Sequence, residues 1–271
     1  MSNLKEKAIS FFDSKLYPIF LAVIIFIGHT FSCELFSMIL LVCAFATSTM
    51  LCDDMRVSIA PILMIAFMFS YKTFLSGWLG STSFAIVAII SVLVIIASII
   101  AHLVLHKKAQ RIKELPKSAL FWGFIAFSGG LLLNGFFNFS AYAPINITFA
   151  LLLVFFFVII YFAFYMGVER HENIVEYVIF IFYVASVLLT MQMVVLLLRD
   201  ATFNESGSMI KESLILGWGM WNNVGGMLTM LLPVHFYYAS TKKHGYIFYI
   251  TAILTYVVIA LTLSRSSLLF A

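Results

Sequence analysis

Charge is what this sequence has least of. Only 10% of its 271 residues are Asp, Glu, Lys or Arg, against about a quarter in ordinary soluble domains. With 63% of residues hydrophobic and a mean hydropathy of +1.08, one globular core cannot take up the apolar groups of a chain this size. A soluble enzyme and a disordered chain are both excluded. Cysteine is scarce too. Cys33, Cys43 and Cys52 have no metal-like spacing, and they read as reduced, buried thiols in or beside apolar runs. No GxSxG, P-loop or HExxH motif is present. No small-residue cleavage site follows Lys5, Lys7 and Lys15, so the N-terminus reads as an uncleaved first span and not a removed signal peptide. There is no internal repeat, no low-complexity segment and no arginine ladder. The net charge of +4 comes from Lys and Arg scattered through short loops, which gives no footprint for nucleic acid.

What is there is a series of long apolar runs. They are too continuous for the alternating strands of an outer-membrane barrel. A helix needs about 20 apolar residues to cross the hydrocarbon core. Six runs reach or approach that length: Phe84 to His106, Ser118 to Phe139, Ile147 to Val168, Ile174 to Leu198, Met220 to Ser240, and Tyr246 to Ser264. Three shorter ones precede them: Pro18 to Glu34, Leu35 to Cys52, and Val57 to Tyr71. The sequence therefore predicts an all-α, polytopic transmembrane bundle of nine spans, folded as a single integral membrane domain over 1–271. The start of a tenth run follows Arg265. Because the chain ends on the apolar stretch Leu268 to Ala271, it reads as the N-terminal part of a longer protein.

Basic loops favour the cytoplasmic side. With the N-terminus inside, twelve of the chain's 16 Lys and Arg fall on the inner side and four, Lys72, Arg199, Lys211 and Arg265, on the outer side. The expected topology is thus multi-pass with a cytoplasmic N-terminus.

Charged groups inside a membrane are costly and usually functional. Span centres here are nearly free of them. Glu34, Glu176, His102, His106 and His235 all sit toward span ends, and His29 lies slightly inside one. The histidines read as satisfied or interfacial groups. Ser128-Gly129-Gly130 and Gly225-Gly226 read as helix-packing sites, since small residues let helices approach closely.

Two regions on the outer side could carry chemistry. One is the polar stretch RDATFNESGSMIKES, Arg199 to Ser213. The other is the pair LGWGMWNNVGGMLTMLLP, Leu216 to Pro233, and ALTLSRSSLLF, Ala260 to Phe270. Asn222 and Asn223 open a span, where exposed helix N–H groups can hold an anion. Pro233 should kink that span. Arg265 ends the ninth span between two serines. It either snorkels to the headgroups or presents a fixed guanidinium fork to a phosphate or pyrophosphate.

At these residues the sequence resembles the O-antigen ligase and O-antigen polymerase superfamily of bacterial envelope glycosyltransferases. Members show an Asn-containing span start with a G..L..LLP pattern, and one span later an apolar helix ending in an SR-small motif, often SRG. The counterparts here are WNNVGGMLTMLLP and LTLSRSS, with Ser266 where many members have Gly. The resemblance covers Leu216 to Ala271. The long outer loop, second arginine and histidine with which members continue are not in this sequence. The resemblance implies a metal- and cofactor-independent transferase in the bacterial inner membrane. Its donor would be a glycan on undecaprenyl pyrophosphate and its acceptor another glycan or lipid. Arg265 would be the catalytic residue, and Arg199, Asn222 and Asn223 would bind substrate. No base is evident: Glu34, Asp200, Glu205 and Glu212 are outside, and none has a motif behind it. The competing class is a transporter or flippase for a lipid-linked or small polar substrate. That class more often shows two matching halves with broken helices, and no matching halves are visible.

Overall fold

The computed structural model describes residues 2–68, 82–137, 161–169, 174–200, 215–216 and 219–262. These are helical almost throughout. Apolar sequence leaves the backbone no other way to satisfy its N–H and C=O groups away from water. The helices are α1 (Ser2–Phe12), α2 (Leu16–Thr30), α3 (Glu34–Leu51), α4 (Ile59–Met68), α5 (Thr82–Leu105), α6 (Ala119–Phe137), α7 (Tyr161–Gly167), α8 (Ile174–Asp200), α9 (Trp221–Thr241) and α10 (Tyr246–Leu261). Short 3-10 segments, Met55–Ser58 and Lys108–Lys117, precede α4 and α6. The one departure from helix is a two-residue antiparallel ladder that pairs Ile215 with Met220 and Leu216 with Gly219.

Two of the described helices, Glu34–Leu51 and Ile174–Arg199, are long and apolar enough to cross a membrane. Leu4–Phe12 and Leu16–Thr30, bent by 77° at their junction, make a third if taken as one span. Four shorter apolar helices accompany them: Met55–Ile65, Ile89–Leu105, Ala119–Gly130 and Tyr246–Leu261. The chain is therefore a helical, membrane-embedded protein. α9 has the length for a span, but Pro233, His235, Tyr237 and Tyr238 dilute its apolar character. Most of the expected span Ile147 to Val168 lies outside the described residues, as does the end of Val57 to Tyr71.

The chain divides into two compact units. The first comprises Met1–Ser48, Val57–Ile95 and His171–Ala271, and side-chain bonds fix its helix directions. The Tyr17 hydroxyl, at the start of α2, donates to the Ala44 carbonyl at 3.1 Å and lies 3.3 Å from Ser48 Oγ, near the end of α3. At the other end of this antiparallel pair Ser37 Oγ donates to the Ile24 carbonyl at 3.0 Å, and the chain reverses through Ser32 at φ 56°. Gly28 permits that approach: a Cβ there would strike Ser37 Oγ.

α2 and α8 run parallel. Lys15 pairs with Glu176 at their starts (3.3 Å), and Arg199 Nη1 donates to the Thr30 carbonyl at their ends (3.3 Å). α9 runs against α8, since the Tyr238 hydroxyl reaches the Glu176 carbonyl at 3.5 Å and Lys242 pairs with the Glu176 carboxylate at 3.1 Å. α10 returns alongside α8, with Tyr183 facing Thr251 at 3.4 Å and Thr190 facing Thr255 at 3.0 Å. α4 starts at the Lys15 end, where the Tyr177 hydroxyl donates to the Val57 carbonyl at 3.5 Å. Thus α2, α4, α8 and α10 begin at the end where α3 and α9 finish.

The second unit comprises Thr49–Arg56 and Ile96–Arg170. In it α7 and α6 both pack on the Lys108–Lys117 segment, and Trp122 Nε1 donates to the Pro116 carbonyl at 3.0 Å. Gly167 is tight here, because a Cβ would strike the Met55 side chain.

Close approach is seen at Gly28 and Gly167; at Gly129, Gly130 and Gly226 no described residue lies within 4 Å of an added Cβ. One expectation is corrected. Of the three thiols only Cys52 is buried; Cys33 and Cys43 are exposed. Cys43 lies on α3, and a span's outward face needs only to be apolar, which a thiol satisfies.

Candidate functional site

The four site residues expected from sequence are not equally visible. Arg265 lies outside the described residues, three positions past Thr262. Asn222 and Asn223 occupy the first turn of α9, which places their backbone N–H groups at a helix N-terminus. Arg199, in the last turn of α8, caps the last carbonyl of α2 through the Thr30 bond. A cation at a helix C-terminus is electrostatically favourable. What the helix directions bring together is one end of the first unit. There α2 and α8 finish at Thr30 and Arg199, α9 begins at Trp221, and α10 finishes at Leu261.

Inside the same unit lies a polar chain that the sequence did not single out. His235 is fully buried. Its Nε2 lies 2.8 Å from Ser186 Oγ on α8, and its Nδ1 lies 2.8 Å from Thr251 Oγ1 on α10. The Thr251 hydroxyl also lies 3.0 Å from the Phe248 carbonyl and 3.4 Å from the Tyr183 hydroxyl. In either tautomer of the neutral ring one nitrogen donates and the other accepts, so both contacts of His235 are satisfied. One turn toward the Arg199 end, Thr190 and Thr255 bond to each other at 3.0 Å with both side chains buried. The reading of His235 as a satisfied histidine is thus given its partners. The signal in the sequence was the recurrence of Ser and Thr inside otherwise apolar helices, which is unreadable until the helices are paired.

The second unit gathers charges from three segments far apart in sequence. His106 Nδ1 lies 2.9 Å from Asp53 Oδ1, and Lys108 Nζ lies 3.8 Å from the same oxygen and 2.6 Å from Glu169 Oε1. Asp54 Oδ1 accepts from the backbone N–H of Arg56 at 2.9 Å and of Glu169 at 3.2 Å. His102 is fully buried, its ring centroid 4.6 Å from that of His106 with the planes tilted by 38°. Its Nδ1 donates to the Thr49 carbonyl at 2.7 Å, and its Nε2 has no partner among the described residues. The i, i+4 spacing of the two histidines foreshadows their shared face. Among the described residues no group of three or more His, Cys, Asp or Glu could hold a metal ion.

Comparison with known protein families, with curated proteins and with solved structures finds no match to this chain.

Proposed function

We propose that the chain is a membrane-embedded glycosyltransferase of the O-antigen ligase and polymerase type. In this reading it crosses the bacterial inner membrane nine times from a cytoplasmic N-terminus. It transfers a glycan from an undecaprenyl-pyrophosphate carrier to an acceptor on the outer face, for envelope or capsular polysaccharide. The observation that carries the proposal is the convergence of helix ends in the first unit. The end of α8 with Arg199, the start of α9 with Asn222 and Asn223, and the end of α10, after which Arg265 follows in sequence, share one end of the bundle. The two motifs that carry the resemblance flank the same α9–α10 pair.

The chemistry follows from charge. A pyrophosphate leaving group gains negative charge as its glycosidic bond breaks. Preorganised cations and N–H donors in a water-poor setting stabilise that charge. Arg265 is assigned the leaving-group oxygens, Arg199 a second anionic contact, and the α9 N-terminus the remaining phosphate oxygens.

The competing reading is transport of a lipid-linked or small polar substrate. The buried Ser186–His235–Thr251 chain favours it, since polar groups within a bundle often line pathways. Membranes carrying the protein, supplied with a lipid-pyrophosphate glycan and an acceptor, separate the two. A transferase yields acceptor-linked glycan and free lipid pyrophosphate. Movement of the intact donor between leaflets, with no bond broken, would discard the transferase reading.

A further inference from the structure

α2 and α8, running parallel, enclose an apolar groove of about 460 Å³ along their shared flank. Ala22, Val184 and Leu188 form its buried floor, and Ile19, Val23 and Met191 its exposed rims. At one end of the groove the surface changes character. The Lys15 ammonium stands 5.6 Å over the ring of Phe180, which itself lines the groove. Lys15 and Lys242 approach the same Glu176 oxygen at 3.3 and 3.1 Å. Two cations thus share one anion, so these three groups together carry one net positive charge. Both lysine side chains are accessible, 56% and 42% exposed.

The level of that mouth relative to a bilayer is marked by the charges themselves. Lys15 and Glu176 stand at the starts of the apolar helices α2 and α8, and Lys242 follows the end of α9. Charged groups at the ends of apolar spans belong at the headgroup boundary. α1 turns away from α2 by 77° just before Lys15, with Phe12 buried against Tyr17 at 5.1 Å between ring centroids. The groove therefore begins at headgroup depth and runs inward along the spans.

We infer that this groove holds the acyl chain of an anionic phospholipid whose phosphate sits on Lys15 and Lys242. Basic pockets between spanning helices recognise anionic headgroups, while the apolar wall gives the chain contact without a polar group to satisfy. A zwitterionic lipid would fill the groove equally well but would gain nothing from the excess charge. Charge therefore selects the occupant. The site lies at the opposite end of the bundle from Arg199 and does not depend on the proposed transferase activity.

The test uses the whole protein in mild detergent, with dioleoyl phosphatidylglycerol and dioleoyl phosphatidylcholine as probes, read by bound-lipid mass and by thermal melting. Wild type should retain the anionic lipid preferentially and melt higher with it. Removing each lysine should weaken that preference roughly fivefold, so Lys15→Ala with Lys242→Ala should abolish it; the lipid-free melting temperature of that variant checks its folding. Glu176→Gln, which frees both lysines, should strengthen the preference. Val23→Trp, placed on an exposed rim, should lower retention of both lipids. Equal retention of the two lipids by wild type, an unchanged preference in the double lysine variant, or full retention by Val23→Trp would each overturn the inference.

Discussion

Ser186 Oγ lies 2.8 Å from His235 Nε2 and so ties α8 to α9 in the interior of the first unit. Serine can donate or accept, so this bond forms with either tautomer of the ring. Interhelical bonds of this kind average about 0.6 kcal/mol and reach about 1.7 in membranes. Ser186→Ala should therefore lower stability by about 1 kcal/mol. His235→Ala deletes both links and leaves a cavity, and should cost about 2 to 4 kcal/mol. Melting of the purified variants measures both, and equal losses would mean that the serine bond carries the whole effect.

The Lys108 pair with Glu169 in the second unit is largely desolvated on the lysine side, which is 10% exposed, and less so at the carboxylate, which is 38% exposed. Lys108→Ala strips the cation from both Glu169 and Asp53 and should destabilise by about 1 to 3 kcal/mol. Glu169→Gln keeps a hydrogen-bonding oxygen and should cost less. Limited proteolysis across 106–117 in the two variants gives the ranking.

Gly28→Ala should be disruptive out of proportion to one methyl group, because its Cβ would meet Ser37 Oγ and then Ser37 Cβ at 2.9 Å. Overpacking of this kind costs about 1 to 3 kcal/mol. Adding Ser37→Gly should recover part of the loss, less the Ser37 bond to Ile24. A double variant no better than Gly28→Ala alone would place the strain elsewhere.

The charge-derived topology expects 107–117 on the cytoplasmic side and 199–213 outside. Single cysteines at Lys113 and Ser206, in a background lacking Cys33, Cys43 and Cys52, test it in intact cells. Removing the native thiols matters, because Cys33 and Cys43 are exposed. An impermeant maleimide should label 206 and spare 113; the reverse pattern inverts the orientation.

For Arg265 the comparison of interest is Lys against Ala. A bidentate fork on a pyrophosphate makes Arg265→Lys nearly as damaging as Arg265→Ala, a loss of about a hundredfold in transfer rate. A snorkelling arginine is replaceable by lysine without loss. Glycan transfer at matched expression decides between them.

Apolar runs made the helices legible, and the boundaries of Leu35 to Cys52 and Ile174 to Leu198 fall within a residue of helices that meet the spanning criterion. The Lys15–Glu176–Lys242 group was not legible, since its members lie at the ends of three helices far apart in sequence and only the course of α2 and α9 alongside α8 unites them. A small residue permits close approach but does not say whether a neighbour takes it, which is why the tight positions Gly28 and Gly167 were not legible either. Arg265 and the side chains of Asn222 and Asn223 stay where the sequence reading left them.

Pro233 sits within α9, two residues before His235. Having no N–H, it cannot donate the i→i−4 bond that would continue the helix at that point. The segment after it is pinned to two neighbours through His235, while the segment before it leads up to the turn bearing Asn222 and Asn223. Any bending of α9 would thus pivot near Pro233, with the histidine as anchor and the asparagine turn as the arm that swings.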